Sequence, residues 1–182
     1  MKYLARFIMG LAGWKYKGEL PAEKKAVIIS VPHTSNWDFF WGELAFLSQG
    51  IPAFILMKKE FFFFPLGMIL RALNVIPVDR GNKDSQLVEQ MITEFKQRDS
   101  MYLCITPEGS RKKRKKWKKG FLVIAKAAGV PVYLGRIDYK GKYCEVGPLF
   151  YPTEDVDADL AYIMSTYHDA NPKYPENFSN GN

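Results

Sequence analysis

Apolar runs and helical segments alternate along most of this 182-residue chain, and this alternation constrains the fold more than any other feature of the sequence. Runs rich in valine and isoleucine predict strands at residues 26–31, 53–57, 74–78, 101–105, 132–137 and 143–146. Helical spacing of apolar residues predicts helices at residues 38–48, 84–97, 120–128 and 154–167, and a helical segment at residues 60–73 around a disturbance at Pro65. Strands and helices in this order predict an α/β domain with a parallel or mixed central sheet flanked by helices.

The length and composition predict one domain. With 47% hydrophobic residues, the chain can bury a sizeable core, and neither an internal repeat nor a linker divides it. We expect an amphipathic N-terminal segment at residues 1–20, the domain at residues 21–168 and a polar C-terminal tail at residues 169–182. The two cysteines, Cys104 and Cys144, lack the spacing of a disulfide framework or a zinc site, so we expect reduced thiols in a cytoplasmic protein.

Two apolar segments suggest contact with lipid. Near the N-terminus, apolar residues recur at helical spacing among basic side chains: Leu4, Phe7, Ile8, Leu11 and Trp14. This pattern fits two structures equally, an amphipathic helix on an anionic membrane surface or a helix packed on the domain's own core. The stretch at residues 61–70 is too short to span a membrane and contains Pro65. Its four phenylalanines at 61–64 either contact lipid or form a buried aromatic cluster.

His33 and Asp38 directly follow the first predicted strand, five residues apart. The chain has only two histidines, and the other, His168, lies near the polar tail. Imidazole exchanges protons near neutral pH, and a nearby carboxylate can fix its tautomer and stabilise the imidazolium, so the pair predicts general-base chemistry. A simpler explanation is that Asp38 forms a capping box with Ser35 and serves only backbone donors at a helix start. The two roles are compatible.

Polar motifs also follow two other predicted strands. Residues 79–81 (Asp-Arg-Gly) follow the strand at 74–78, and residues 107–111 (Pro-Glu-Gly-Ser-Arg) follow the strand at 101–105. Each motif alone is ordinary turn chemistry. Because ligands of open α/β sheets bind outside the carboxyl ends of the strands, parallel strands would bring all three motifs to one cleft.

Together, these motifs resemble the successive signature blocks of the glycerolipid acyltransferases, the lysophospholipid acyltransferase family typified by the bacterial 1-acylglycerol-3-phosphate acyltransferases. The blocks are His33-x-x-x-x-Asp38, residues 76–80, residues 107–111 and residues 130–134, in the order of the family. The resemblance implies an O-acyltransferase that moves a fatty acyl group from an acyl-CoA or acyl-carrier-protein thioester to the hydroxyl of a lysophospholipid or a glycerol phosphate.

The resemblance also implies roles for individual residues. His33 is the expected general base, oriented by Asp38, and no serine or cysteine nucleophile is needed because the acceptor oxygen attacks directly. Arg80 and Arg111 are expected to hold the acceptor's phosphate by bidentate, charge-assisted hydrogen bonds. The other expected substrate-binding residues are Glu108, Gly109 and Ser110. We expect no metal and no resident cofactor, since the acyl thioester is a co-substrate. A lipid acceptor without phosphate is the alternative.

The positive charge of the chain is local. Eight of the 26 basic residues lie at positions 111–119, and the rest of the chain has 18 basic and 19 acidic residues. This basic run would attract the phosphates of CoA, an acidic acyl carrier protein or anionic headgroups. We expect a peripheral contact with the cytoplasmic face of a membrane, with Trp117 as an interfacial anchor. The simpler alternative is a solvated surface loop.

Two other classes of protein fit part of the sequence. A nucleic-acid-binding module would use the basic run but leaves the His33 motif unexplained, so we expect no nucleic acid as a partner. A hydrolase or metal enzyme would use His33, Asp38 and Glu108. A zinc site is disfavoured because only one histidine is well placed and no ligand spacing of a zinc site occurs.

Overall fold

The computed structural model describes residues 1–78 and 84–180 and contains a mixed sheet flanked by helices. The strands are β1 (Lys15–Lys17), β2 (Lys25–Val31), β3 (Ala53–Lys58), β4 (Val75–Val78), β5 (Met101–Ile105), β6 (Val132–Asp138), β7 (Tyr143–Glu145) and β8 (Leu149–Phe150). The helices are α1 (Lys2–Leu11), α2 (Trp37–Gln49), α3 (Leu66–Ala72), α4 (Asp84–Gln97), α5 (Gly120–Ala128) and α6 (Val156–Ser165).

The sheet has the order β1-β7-β6-β2-β5-β3-β4, and β8 pairs with β6. The five strands from β6 to β4 run parallel, whereas β7 and β8 run antiparallel to β6. The prediction of an α/β fold with a mixed sheet is therefore confirmed. Strand β2 lies in the centre, hydrogen-bonded to β5 on one side and to β6 on the other.

Helices cover both faces of β2, which explains why its sequence is apolar without alternation. Val27 and Ile29 point into a core formed with α4 and α5, where Phe95 and Phe121 are fully buried. Ile28 points to the opposite face, which α2 covers. Since both layers bury apolar side chains, β2 is held rigidly, and the loop after its carboxyl end starts from a fixed position.

The segment at residues 60–73, predicted to be helical around a disturbance at Pro65, is a short 3₁₀ turn, Lys59–Phe61, followed by α3. Pro65 explains the break, because it cannot donate a backbone hydrogen bond and restricts the residue before it. The phenylalanines at 61, 63 and 64 are exposed, and Phe64 reaches 83% of its full accessibility. A buried aromatic cluster at this position is therefore wrong.

Helix α1 packs on the domain and also exposes apolar side chains, so it has features of both structures that the sequence allowed, a helix on the core and a helix on a membrane surface. Ala5 and Met9 are buried against α2, so the helix packs on the domain. Three apolar side chains on the other side of the helix are exposed: Leu4, Phe7 and Leu11. We call these three residues the α1 stripe. Within residues 1–78 and 84–180, no helix is long and apolar enough to cross a membrane.

The C-terminal segment after α6 lies against the domain. Asn171 donates a hydrogen bond to Asp138, and its carbonyl accepts one from the backbone N–H of Tyr139 at 2.9 Å. Further along the chain, Phe178 packs against the core formed with α4 and α5. The carbonyl of Ser179 accepts a hydrogen bond from the indole of Trp117. These contacts place residues 171–174 beside the carboxyl end of β6.

Candidate active site

The two best-defined sequence motifs meet at one edge of the sheet. Strands β2 and β5 are parallel neighbours, so the loop at residues 32–36 and the loop at residues 106–119 leave the sheet side by side. Their proximity comes from the fold, because the two strands are about 75 residues apart in sequence and adjacent in space.

His33 and Asp38 form a close pair in the first of these loops. Nδ1 of His33 lies 3.3 Å from Oδ2 of Asp38, within the range of an ion pair, although the two groups are not aligned as a hydrogen bond. The imidazole keeps 20% of its accessibility, whereas the carboxylate keeps 2%. The histidine can therefore meet a substrate, and Asp38 can act only on its neighbours.

Asp38 is held by three hydrogen bonds. Oδ2 accepts from the backbone N–H groups of Thr34 and Ser35, both at 2.7 Å. Oδ1 accepts from the hydroxyl of Tyr139 at 2.6 Å. The contact with Ser35 is half of the capping box that the sequence suggested, so Asp38 organises the start of α2 and also faces His33. Both suggested roles are compatible with this geometry.

Tyr139 is a site residue that the sequence analysis missed. It follows the carboxyl end of β6, which lies next to β2, so its position at the same edge depends on the sheet order. Burial, and then the hydrogen bond to the Asp38 carboxylate, raise the pKa of Tyr139 well above its ordinary value. The hydroxyl therefore keeps its proton and donates to Asp38 over the whole physiological range of pH.

Glu108 connects the second loop to the first. Its Oε1 accepts a hydrogen bond from the backbone N–H of His33 at 2.7 Å. Its Oε2 is buried and has no hydrogen-bond partner among residues 1–78 and 84–180. Burial raises the pKa of Glu108 to about 8, and the charge of Asp38 adds to the rise, while the bond from His33 lowers it. At neutral pH the side chain is therefore mostly a neutral acid that holds the backbone of His33.

The rest of the second loop is a tight turn that carries Arg111 towards the first loop. Gly109 has φ +63°, a left-handed conformation that favours glycine, and its N–H donates to the carbonyl of Thr106. The hydroxyl of Ser110 accepts from the N–H of Lys112 at 3.1 Å. The guanidinium of Arg111 is exposed and donates to the side chain of Asn36, at the start of α2. A guanidinium has five N–H donors, so Arg111 can bind an anionic ligand while it contacts Asn36.

Arg80, the other predicted phosphate-binding residue, lies outside the described residues. The strand before it, β4, is parallel to β3 and ends at Val78 on the same edge of the sheet as β2 and β5. Two strand spacings of about 4.8 Å separate β4 from β5.

Trp117 is not an interfacial anchor, and that prediction is wrong. Only 4% of its surface is exposed, and it packs against Tyr167 and Phe178. Its indole N–H donates to the carbonyl of Ser179 at 2.9 Å, which satisfies a polar group that burial would otherwise leave unpaired. The basic side chains around it, at positions 111–116 and 118–119, are exposed. The basic run is thus a surface loop, and the buried side chain of Trp117 attaches it to the core.

The fold and the site define an α/β protein with a histidine–carboxylate pair and an arginine at the carboxyl ends of parallel strands. A sequence profile of the family described as Acyltransferase matches residues 14–134, more than half of the chain. The chain therefore belongs to the Acyltransferase family. The profile covers both loops of the site.

A solved structure has a similar fold. The 1-acyl-sn-glycerophosphate (LPA) acyltransferase PlsC from Thermotoga maritima superimposes with a TM-score of 0.66 at 17% sequence identity. The similarity covers 91% of this chain and 74% of PlsC. No curated protein sequence matches the chain. At this identity the likeness establishes a shared fold.

Proposed function

We propose that this chain transfers a fatty acyl group from an acyl thioester, either acyl-CoA or acyl carrier protein, to the hydroxyl of a lysophospholipid or glycerol phosphate. The observation that carries the proposal is the contact of 3.3 Å between an accessible His33 and a buried Asp38. Family membership and the likeness to a glycerophosphate acyltransferase support acyl transfer and a glycerolipid acceptor.

In the proposed mechanism, His33 is the general base. Asp38 faces Nδ1 and favours the tautomer that carries its proton there, so Nε2 can take the proton of the acceptor hydroxyl. The acceptor oxygen attacks the thioester carbonyl and forms a tetrahedral intermediate. Collapse of this intermediate breaks the carbon–sulfur bond, and the leaving thiolate receives the proton back from the imidazolium. Such base assistance contributes about 10²–10⁴-fold to the rate.

The acceptor's phosphate would lie on the β5 side of His33. Arg111 is exposed and already contacts Asn36 in the first loop, so a phosphate bound there stays close to the imidazole. A guanidinium is suited to this role because it binds two phosphate oxygens at once. We retain Arg80 as a second phosphate ligand on the family resemblance alone.

For Glu108 we propose a positioning role in place of direct contact with the acceptor. Its carboxyl group is buried and engaged with the backbone of His33, so it supports the base from behind. Gly109 and Ser110 form the turn that carries Arg111. These two residues would shape the acceptor site through the backbone.

We also propose peripheral binding to the cytoplasmic face of a membrane, where lysolipids are found. The α1 stripe, the exposed phenylalanines at residues 61, 63 and 64, and the basic run support this proposal. Exposed apolar side chains insert at the acyl boundary, and each lysine or arginine near an anionic surface adds about 1 kcal/mol.

The proposal is tested by transfer of a labelled acyl group from acyl-CoA to lysophosphatidate, with monoacylglycerol as the acceptor without phosphate. The activity of H33A should be about 10²–10⁴-fold lower than that of wild type. The matched control H168A, which replaces an exposed histidine, should keep full activity. R111A should raise KM for lysophosphatidate more than for monoacylglycerol, and R114A in the basic run is its control. Undiminished transfer by H33A contradicts the mechanism, and equal effects of R111A on both acceptors contradict the phosphate role.

A further inference from the structure

An open cleft of about 280 Å³ adjoins the His33–Asp38 pair through Tyr139. Its lining consists of four aromatic side chains and two lysines: Trp14, Trp37, Trp41, Tyr139, Lys142 and Lys173. We call it the aromatic cleft. Tyr139 belongs to both the cleft and the active site, because its hydroxyl donates to Asp38.

The aromatic walls hold one another in place. Trp14 stacks on Trp41 with ring centroids 4.5 Å apart, and the ring of Tyr139 meets Trp14 edge-on at 5.1 Å. The ring centroids of Trp37 and Trp41 are 6.5 Å apart, and 49% of the surface of Trp37 is exposed. The cleft is therefore preformed, and the indole of Trp37 offers the accessible flat surface.

The charge of the cleft is positive. Nζ of Lys173 lies 4.9 Å from the centre of the Trp37 ring, and Nζ of Lys142 is 3.4 Å from the carbonyl of Ala12. No carboxylate belongs to the described lining. Two ammonium groups, one of them over the face of the Trp37 ring, are suited to a ligand that is both planar and anionic.

The sheet order places Tyr139 of the cleft and Arg111 on opposite sides of the strand that leads to His33. Strand β2, which leads to His33, lies between β6, which leads to Tyr139, and β5, which leads to Arg111. The base thus has Arg111 on one side and Tyr139 of the cleft on the other. A transfer between two substrates needs such an arrangement, since both must reach the same imidazole from different directions.

We propose that the aromatic cleft binds the phosphate-bearing adenine nucleotide end of coenzyme A, and that the donor is therefore an acyl-CoA. This inference rests on the proposed acyl transfer and deepens it. The volume lies just below the range of about 300–1,000 Å³ for small-molecule pockets, so the cleft holds one ring system and its phosphate. An acyl chain has no charge for the lysines to bind, and the prosthetic group of an acyl carrier protein has no base to stack on Trp37.

The experiment is calorimetric titration of the full chain with adenosine 3′,5′-bisphosphate, which contains no acyl group and no thioester. The wild type should bind this nucleotide, and W37A and K173A should each weaken binding about tenfold or more. K24A, which replaces an exposed lysine at the amino end of β2, is the matched control for lost charge and should leave the affinity unchanged. K173A replaces a surface side chain, so it remains informative if W37A is unstable.

Three results would overturn the proposal: no binding by the wild type, unchanged affinity in both W37A and K173A, or full displacement of the nucleotide by glycerol 3-phosphate. The last result would assign the cleft to the acceptor's headgroup. These outcomes are distinct from failure of the proposed function. If the nucleotide does not bind but transfer still depends on His33, only the assignment of the aromatic cleft is rejected. If the nucleotide binds but H33A transfers as fast as wild type, only the proposed mechanism is rejected.

Discussion

The side chain of Glu108 accepts a hydrogen bond of 2.7 Å from the backbone N–H of His33, a residue 75 positions away in the sequence. This bond joins the two loops at the carboxyl ends of β2 and β5. It fixes the backbone from which the imidazole projects, and the second oxygen of Glu108 is buried beside it. The site therefore depends on a buried acid that need not touch the substrate.

Replacing Glu108 by glutamine and by alanine should have different consequences. In E108Q the amide oxygen can still accept from the N–H of His33, and the amide is uncharged like the neutral acid. At pH 7 the free energy of unfolding should therefore be close to that of wild type, and the transfer rate should stay within a few-fold. E108A leaves the N–H of His33 unpaired and creates a cavity, which should cost about 2–5 kcal/mol of unfolding free energy and lower kcat. Urea denaturation and transfer rates measure both variants. Equal damage by E108Q and E108A would show that the charge of Glu108 is required.

The raised pKa of Glu108 predicts a dependence of stability on pH. The folded chain holds this proton up to about pH 8, whereas an unfolded glutamate releases it near pH 4.5. Between these values the folded state binds more protons, so the contribution of Glu108 is full below pH 4.5 and is lost as the pH rises towards 8. The slope is at most about 1.4 kcal/mol per pH unit.

The measurement is the free energy of unfolding of wild type minus that of E108Q, taken from pH 5 to pH 8. Burial raises the pKa of Glu43 to about 7. Both proteins contain Glu43, so the subtraction removes its contribution. The difference should fall as the pH rises. A difference that is constant or that increases would show that Glu108 is ionised in the folded protein.

Replacing Tyr139 by phenylalanine should slow transfer with little change in KM. The variant keeps the ring in the aromatic cleft but removes the hydroxyl that donates to Asp38, so the carboxylate is less firmly held. We expect a loss of about tenfold in kcat and about 1–2 kcal/mol of stability. Y162F is a suitable control, because Tyr162 is exposed and its ring stacks on Phe150. An unchanged kcat in Y139F would remove Tyr139 from the supporting network.

The α1 stripe should control attachment to membranes. The double variant L4S/F7S should lower binding to vesicles of anionic phospholipid about tenfold or more, because each buried CH₂ contributes about 0.8 kcal/mol. Thermal stability should barely change, since both side chains are exposed in the folded chain. Replacing Tyr162, another exposed apolar residue, by serine provides the control. Vesicle sedimentation at low and high salt separates this apolar part from the contribution of the basic run.

The sequence was sufficient for the parts of the fold that depend on local pattern. The alternation of apolar runs and helical segments predicted the α/β sheet, and the ends of the predicted strands located His33, Asp38 and Glu108. The disposition of these residues at one edge required only that β2 and β5 be parallel. Strand direction in an α/β fold follows from its helical crossovers, which is why this part could be predicted.

The remaining features depend on contacts between distant residues, which local pattern does not encode. Tyr139 reaches Asp38 only because β6 lies beside β2, and a tyrosine after a strand has no distinguishing spacing. Trp117 was misassigned because its lysine neighbours suggest a surface, whereas its partner is Ser179 in the C-terminal segment. Burial of Glu108, and with it the raised pKa, likewise appears only after the two loops are brought together.

A double-mutant cycle tests whether His33 is the base and whether Asp38 acts through it. The quantity to measure is kcat/KM for transfer from acyl-CoA to lysophosphatidate by H33A, D38A and the double variant, with thermal unfolding as a check on folding. We expect each single change to lower activity strongly and the double variant to be no slower than H33A, because the two residues act as a unit. Losses that multiply in the double variant, or activity that survives in H33A, would contradict this expectation.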